Sequence, residues 1–214
     1  MNSILDNLKT EGIAIVENIY SQDELIGLAK SIGNIRPHPN GEDVATLKSS
    51  DGTNSLTGTF SSTYGLSMFP FHSDTAFWGL PARYIIMGMF STSRCTTNYI
   101  SLRDIERFIS DDFLSKARRA IYLVETIEGS KYTSPVFEVN DNYGFRFDPN
   151  IMTPANDYAK VFHEELVVAM NRVESIKIDW SGNKAVIFDN WNSLHSRSAV
   201  KDESREIFRI YLES

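Results

Sequence analysis

Short runs of β-branched and aromatic residues recur along the chain and are broken by turn-forming residues. Residues 12–16 read as the first strand. Residues 83–90 are apolar at almost every position, the mark of a strand buried on both faces, and residues 96–101 follow as another. Further strands are predicted at 120–124, 135–139, 143–147, 185–188 and 205–212, with Asn140-Asp141-Asn142 as a turn. Helical spacing is confined to fewer stretches. Ser21 and Glu24 have capping-box spacing ahead of Leu25, Leu28, Ala29 and Ile32, and Gly33 ends that helix, which is expected to cover a sheet. Short helices are predicted at 3–8, from Ser101 with Ile105, Phe108 and Ile109 inward, and at 111–120 from Asp111. The longest helix is predicted at 154–173, with Tyr158, Phe162, Leu166, Ala169 and Val173 on one face and His163 facing solvent. Residues 49–67, rich in Gly, Ser and Thr, read as strand and loop. About ten short strands with helices early and late favour an antiparallel sandwich or barrel over a doubly wound sheet.

Composition narrows the partners more than the fold. A chain of 214 residues suffices for a single domain, 1–214, with a sizeable core. The net charge of −7 lacks the basic footprint that nucleic acid or an anionic membrane requires, so neither is an expected partner. The single cysteine, Cys95, leaves no internal disulfide framework and no thiolate metal cage. With no targeting segment read and no apolar run of bilayer length, a cytoplasmic location is expected.

Candidate chemistry centres on Phe69-Pro70-Phe71-His72-Ser73-Asp74-Thr75-Ala76-Phe77-Trp78. On an extended backbone residues i and i+2 share a face, so His72 and Asp74 can converge, and one nitrogen plus one oxygen suits a divalent first-row metal. The alternative is a solvated surface turn. Of the remaining histidines His195 is the best third ligand, since it follows a buried strand and an Asp-Asn turn and should sit at a sheet rim. Its alternative is a loop histidine bonded to Asp189. Two histidines and a carboxylate would form a facial triad with open metal positions. Arg205, Ile207 and Arg209 share one face of the last strand, which suits an anion, or else a salt-bridged edge paired with Glu138 or Asp202. His38, between two prolines, reads as a solvated loop residue rather than a substrate contact, and Phe71, Phe77, Trp78 and Trp191 as core neighbours of the site.

Four segments in order resemble the Fe(II)/2-oxoglutarate-dependent oxygenases of the taurine dioxygenase and clavaminate synthase type. They are Phe71-His72-Ser73-Asp74-Thr75-Ala76-Phe77-Trp78, Thr96-Thr97-Asn98-Tyr99-Ile100-Ser101, the strand and distal-histidine segment 186–197, and Arg205-Glu206-Ile207-Phe208-Arg209. The resemblance runs from about residue 10 to the end. It implies a mainly β double-stranded β-helix (jelly-roll) with flanking helices and Fe(II) held by His72, Asp74 and His195. It further implies 2-oxoglutarate contacted by Thr97 and gripped by Arg205, with Arg209 nearer the substrate or the two arginines exchanged. The implied reaction hydroxylates or desaturates a small polar substrate with O2 and releases succinate and CO2. The spare arginine suggests an amino acid or other carboxylate. Two departures stand out. Arg94-Cys95 replaces the pair of glycines that commonly precedes the threonine, which leaves Thr96 as a rival to Thr97. The stretch from Asp74 to His195 is short, so an open site or a lid built from residues 36 to 66 is expected. A metal-dependent jelly-roll isomerase or lyase without oxoacid, and a non-catalytic binding protein on the same scaffold, are the alternative functions.

Overall fold

The computed structural model describes residues 2–109, 112–202 and 204–213. Its strands are β1 Ile13–Glu17, β2 Ile35–Arg36, β3 Ala45–Lys48, β4 Phe69–His72, β5 Tyr84–Met89, β6 Ser93–Ser101, β7 Tyr122–Thr126, β8 Gly129–Thr133, β9 Val136–Val139, β10 Asn142–Phe145, β11 Met152–Pro154, β12 Ile176–Trp180, β13 Lys184–Asp189, β14 Ser193–Arg197 and β15 Glu206–Leu212. The helices are α1 Asn2–Thr10, α2 Gln22–Ile32, α3 Phe60–Tyr64, α4 Leu102–Glu106, α5 Phe113–Arg119 and α6 Asp157–Arg172.

Two antiparallel sheets form the centre. The larger has the order β1-β13-β5-β15-β2, with β3 also on β15; the smaller has the order β12-β6-β14-β4. Apolar side chains of β5, β13 and β15 (Ile85, Met87, Val186, Phe188, Ile207) meet Tyr99, Ile178 and Trp180 of the smaller sheet between the two layers. The opposite faces of those strands, through Ile86, Ala185, Ile187, Ile210 and Leu212, pack on Leu8 of α1 and on Leu25 and Ala29 of α2. The near-unbroken apolar runs in β5 and β13 follow from this, because both faces are covered. The outer face of the smaller sheet rests on α4, α5 and α6 through Ile100, Leu194, Ile105, Phe113, Phe162 and Leu166. This arrangement is the expected double-stranded β-helix with flanking helices. The caps are also as expected: Ser21 Oγ accepts from Glu24 N, and Ser101 Oγ accepts from Asp104 N. Asn140 and Asp141 take positive φ (48° and 62°), as a two-residue hairpin turn between β9 and β10 requires.

Several expectations are corrected. Residues 49–67 hold no strand; they form turns and α3. Gly52 and Gly65, both at positive φ, bring that loop's two ends together, and a Cβ on either would lie 2.6 Å from a carbonyl oxygen. Helix α4 stops at Glu106, so Phe108 is exposed rather than inward. Asp111 lies outside the described residues, and the helix expected there runs Phe113–Arg119. The buried stripe of α6 is Ala159, Phe162, Leu166 and Ala169, which turns Tyr158 outward under the Arg119 guanidinium. His163, one turn on from Ala159, is drawn to the edge of that stripe and sits half-buried beside Tyr122 and Phe147. Strand β8 carried no sequence signal, since nearly all of its residues are exposed.

Gly88 of β5 marks where α2 presses on the larger sheet: a Cβ there would lie 2.8 Å from Leu25 Cδ1. Gly88→Ala is therefore expected to cost about 1–3 kcal/mol by overpacking. In urea unfolding, adding Leu25→Ala should recover part of that loss, so the double variant should be more stable than the sum of the two single losses predicts.

Candidate metal centre and its cavity

The smaller sheet places two histidines directly opposite each other. His195 of β14 is the cross-strand partner of His72 of β4, and their ring centroids are 4.4 Å apart. Four residues of β4 (Phe69 to His72) span the register that three residues of β14 (His195 to Arg197) cover, so β4 bulges at Pro70-Phe71. A proline is tolerated there because β4 is an edge strand. The bulge also lets His72 Nδ1–H donate to Pro70 O at 2.9 Å, which leaves Nε2 as the free lone pair. His195 is more deeply set than a rim position: it lies within β14, buried and stacked on Phe188. It is not bonded to Asp189, whose carboxylate instead accepts from Arg83, Asn192 and the Trp191 N–H.

Asp74 follows β4 in a turn that the backbone holds under strain. Thr75 adopts φ 57°, unusual for a β-branched residue. Its hydroxyl donates to Asp74 O and accepts from Ala82 N. Asn190 clamps the same turn, accepting from Asp74 N and donating to Asp74 O and Ala82 O. Asp74 Oδ1 stands 3.6 Å from His72 Nε2 and 3.7 Å from His195 Nε2. The three residues are all buried and offer ligand atoms within 4.8 Å of one another. The other oxygen, Oδ2, accepts from Arg209 Nη1 at 2.9 Å and from the Tyr211 hydroxyl at 3.3 Å.

The electrostatics of Asp74 and His195 agree with a ligand set. Burial alone would raise the Asp74 pKa, but Arg209 and the two histidines outweigh it and hold the carboxyl far below its usual range. Burial, helped by the His72 and Arg209 charges, pushes His195 down to about 3, so it is neutral at pH 7 and its lone pair is available. Burial pulls His72 downward too, but Asp74 reverses this and the pKa ends raised.

The three residues open on a cavity of about 660 Å3. Period-two alternation sends Arg205, Ile207, Arg209 and Tyr211 to the cavity wall, and Phe208 and Ile210 to the helix side. Neither expected edge pairing forms: Arg209 binds Asp74, Glu138 meets Arg118, and Asp202 accepts from Ser93 and Arg94 N. Arg209 is thus not a spare cation. Arg205 is 7% exposed, its Nε has no partner, and it makes no ion pair among the described residues. Thr97 lines the cavity and accepts from Trp180 Nε1, while Thr96, whose N–H donates to Ser198, does not line it. Phe60, from the 49–67 loop, packs tilted on His72 with ring centroids 4.1 Å apart, and residues 46–48 and 55–61 line the cavity, within the stretch expected to supply a lid. Phe77 lines the cavity as well; Trp191 is core.

Two neighbours of the site, Arg197 and Asp148, went unread in the sequence, and a third, His38, was read as solvated. Arg197 lines the cavity with its guanidinium over Phe69 and donates to Gly65 O and Ser67 O. Asp148, 7% exposed, lines the wall near His72, and burial pushes its pKa up to about 6. His38 is not solvated: its Nε2–H donates to Arg209 O and its ring packs on Tyr211, which braces β15 from outside the cavity. The periodicity that flagged β15 would also have marked Arg197, two residues from His195. Asp148 belongs to a turn and carries no periodic signal.

No protein-family model and no curated protein sequence matches this chain. Solved structures do. Asparagine oxygenase in complex with Fe(II), 2S,3S-3-hydroxyasparagine and succinate is 12% identical, with 99% of this chain and 78% of that one aligned at a TM-score of 0.81. PvcB from Pseudomonas aeruginosa is 15% identical over 100% of this chain and 80% of its own, with a TM-score of 0.74. OrfP, a non-heme iron oxygenase solved with Fe, succinate and (3S)-hydroxy-L-Arg, is 12% identical over 99% and 78%, with a TM-score of 0.70. The chain therefore has the fold of the Fe/2-oxoglutarate oxygenases that its motifs resemble.

A carboxyl whose pKa rises from 3.8 to about 6 on folding destabilises the native state wherever it is ionised. Stability from this group is greatest at low pH and is lost as pH rises toward and past 6, by roughly 3 kcal/mol at pH 8. In metal-free protein, Asp148→Asn should unfold about 1–3 kcal/mol later than wild type at pH 8 by urea titration, and the gap should shrink as the pH is lowered to 5.

Proposed function

We propose that the chain is an Fe(II)- and 2-oxoglutarate-dependent oxygenase, carried by one domain over residues 1–214 and working in the cytoplasm. Its prime substrate on this reading is a small polar molecule of the amino-acid class. The observation that carries the reading is the cross-strand pair His72–His195 with Asp74 Oδ1 facing both ring nitrogens. The residues fit the metal. They supply two imidazole nitrogens and one carboxylate oxygen, with no sulfur, which suits divalent iron. The Pro70 carbonyl fixes the tautomer of His72, and Arg209 with Tyr211 occupies Oδ2 so that Oδ1 is left for the ion.

Iron and the oxoacid together would supply the oxidising chemistry, in which O2 and 2-oxoglutarate are converted to succinate and CO2 as an oxygen atom enters a substrate C–H bond. The chain's own part is positioning. Arg205 would grip the distal carboxylate of 2-oxoglutarate, because it is buried, cationic and without a carboxylate of its own among the described residues. Thr97 accepts from Trp180, which leaves its own O–H to donate to the same carboxylate. Phe60, Phe69 and Phe77 limit water around the reacting carbon. Support for the amino-acid class comes from the neighbours solved with 3-hydroxyasparagine and with (3S)-hydroxy-L-Arg.

Anaerobic titration of metal-free protein with Fe(II) and then 2-oxoglutarate should give a weak visible charge-transfer band. His72→Ala should abolish it. Arg205→Ala should retain iron while weakening oxoacid binding about 10–100-fold, the loss of one charge-assisted contact of roughly 1.5–3 kcal/mol. Iron binding with no band would overturn the oxoacid assignment in favour of a metal-dependent isomerase or lyase, and no iron binding would overturn the metal site itself.

A further inference from the structure

We propose that Asp148 is the anchor for a cationic nitrogen of the prime substrate, an ammonium or a guanidinium, so that the cavity selects for positive charge on the substrate side. The proposal rests on the oxygenase reading for what is done to that substrate, but not for the cation site itself.

The described residues bury three aspartates: Asp74, Asp148 and Asp189. Asp74 has Arg209 at 2.9 Å and Asp189 has Arg83 at 2.7 Å. Asp148 has no ion pair among the described residues, and its carboxylate is met only by backbone N–H groups, that of Asn150 at 2.8 Å and that of Ile151. A buried carboxylate with only neutral backbone donors and no cation is costly, and proteins rarely retain one without a use. This one lines the cavity that also holds the three candidate metal ligands.

Its position is fixed rather than incidental. Ser73, between His72 and Asp74, donates from its backbone N–H to Phe147 O at 2.7 Å, and its hydroxyl accepts from Phe147 N at 2.9 Å. The residue next to Asp148 is therefore locked to the residue between two candidate ligands. Asp148 O accepts from Met152 N at 2.9 Å, closing the turn behind it. Asn150 donates to Gly58 O and accepts from the Thr63 hydroxyl, which ties the same turn to the loop that carries Phe60. A carboxylate held this rigidly is ready for a ligand group without reorganisation.

Charge is divided across the cavity. Arg197 and Arg205 lie on the β14–β15 side, where an anionic oxoacid fits. Arg209, the arginine that suggested a carboxylate-bearing substrate, is taken up by Asp74. Asp148 is thus the buried charge left over for the substrate, and its sign calls for a cation. Partners in such a desolvated site form charge-assisted hydrogen bonds, and removing one leaves the other buried and unsatisfied, so discrimination against neutral analogues should be strong.

The test uses wild-type, D148N and D148E protein loaded anaerobically with Fe(II) and 2-oxoglutarate, with perturbation of the visible band as readout. The probes are matched pairs: the common L-amino acids against their N-acetyl forms, arginine against citrulline, and lysine against N6-acetyllysine. In wild type, removing the cation at one position should weaken binding at least 10-fold. D148N should erase that preference, D148E should restore part of it, and the band itself reports that each variant is folded. Equal binding within every pair, a preference that survives D148N, or a loaded enzyme that binds none of the pairs would each overturn the proposal. If no band forms, the oxygenase reading has failed. The same pairs, titrated into metal-free protein and followed by NMR line broadening, then decide the cation site alone: charge preference lost in D148N supports it, and its absence overturns it.

Discussion

The two oxygens of Asp74 divide the work of the site, and much of the surrounding structure exists to keep them divided. Oδ2 is neutralised from the larger sheet by Arg209 and Tyr211, whereas Oδ1 faces two imidazole nitrogens of the smaller sheet. A buried carboxylate demands compensation of several kcal/mol, and here it draws on both layers of the sandwich. The carboxylate therefore bridges the sheets across the open end of their shared core. Loss of Arg209 would free Asp74 to rotate and expose the site to the full desolvation penalty, so Arg209 is better understood as a positioning residue than as a substrate contact.

Backbone devices around Asp74 serve the same end. Thr75 tolerates a left-handed φ because its hydroxyl bonds on both sides, to Asp74 O and from Ala82 N. Asn190 supplies both its donor and acceptor to the turn from the loop between β13 and β14. That loop is fixed in turn by Asp189, which binds Arg83, Asn192 and the Trp191 backbone. His195, five residues on from Asn190, is thereby tied to Asp74 through the chain as well as through space. Such rigidity gives ligand atoms a set geometry before any ion arrives.

What was legible in the sequence follows from what periodicity can encode. Alternation along β15 separated Arg205, Ile207 and Arg209 from Phe208 and Ile210, and the structure sends those sets to the cavity and to α2 respectively. The i, i+2 spacing brought His72 and Asp74 to one point even though Asp74 lies beyond the strand, because the bulge at Pro70-Phe71 and the Asn190 clamp re-aim the two side chains. Partner choice was not legible. Whether Arg209 is free or bound to Asp74, and whether His38 is solvated or packed on Tyr211, depends on contacts between residues far apart in the chain. Asp148 was missed for a related reason: its neighbours Phe145, Arg146 and Phe147 read as strand, while the feature that matters is a long-range clamp to Ser73.

Arg146 shows how that clamp is reinforced without entering the cavity. Its guanidinium donates to Ala76 O, Trp78 O and Gly79 O and lies over Phe137, so the segment after Asp74 is gripped from the strand that leads to Asp148. Five donors in a planar fork are well matched to three carbonyls of one turn, a task an ammonium would do less well. The 74–79 turn and the 146–151 turn are thus tied together at Ser73–Phe147 and again at Arg146. A displacement of either would shift a candidate metal ligand and the lone carboxylate together. The separation of the candidate metal ligands from the Asp148 carboxylate is therefore built into the fold, which on the proposed reading is the condition under which a single buried charge can select the carbon presented for oxidation.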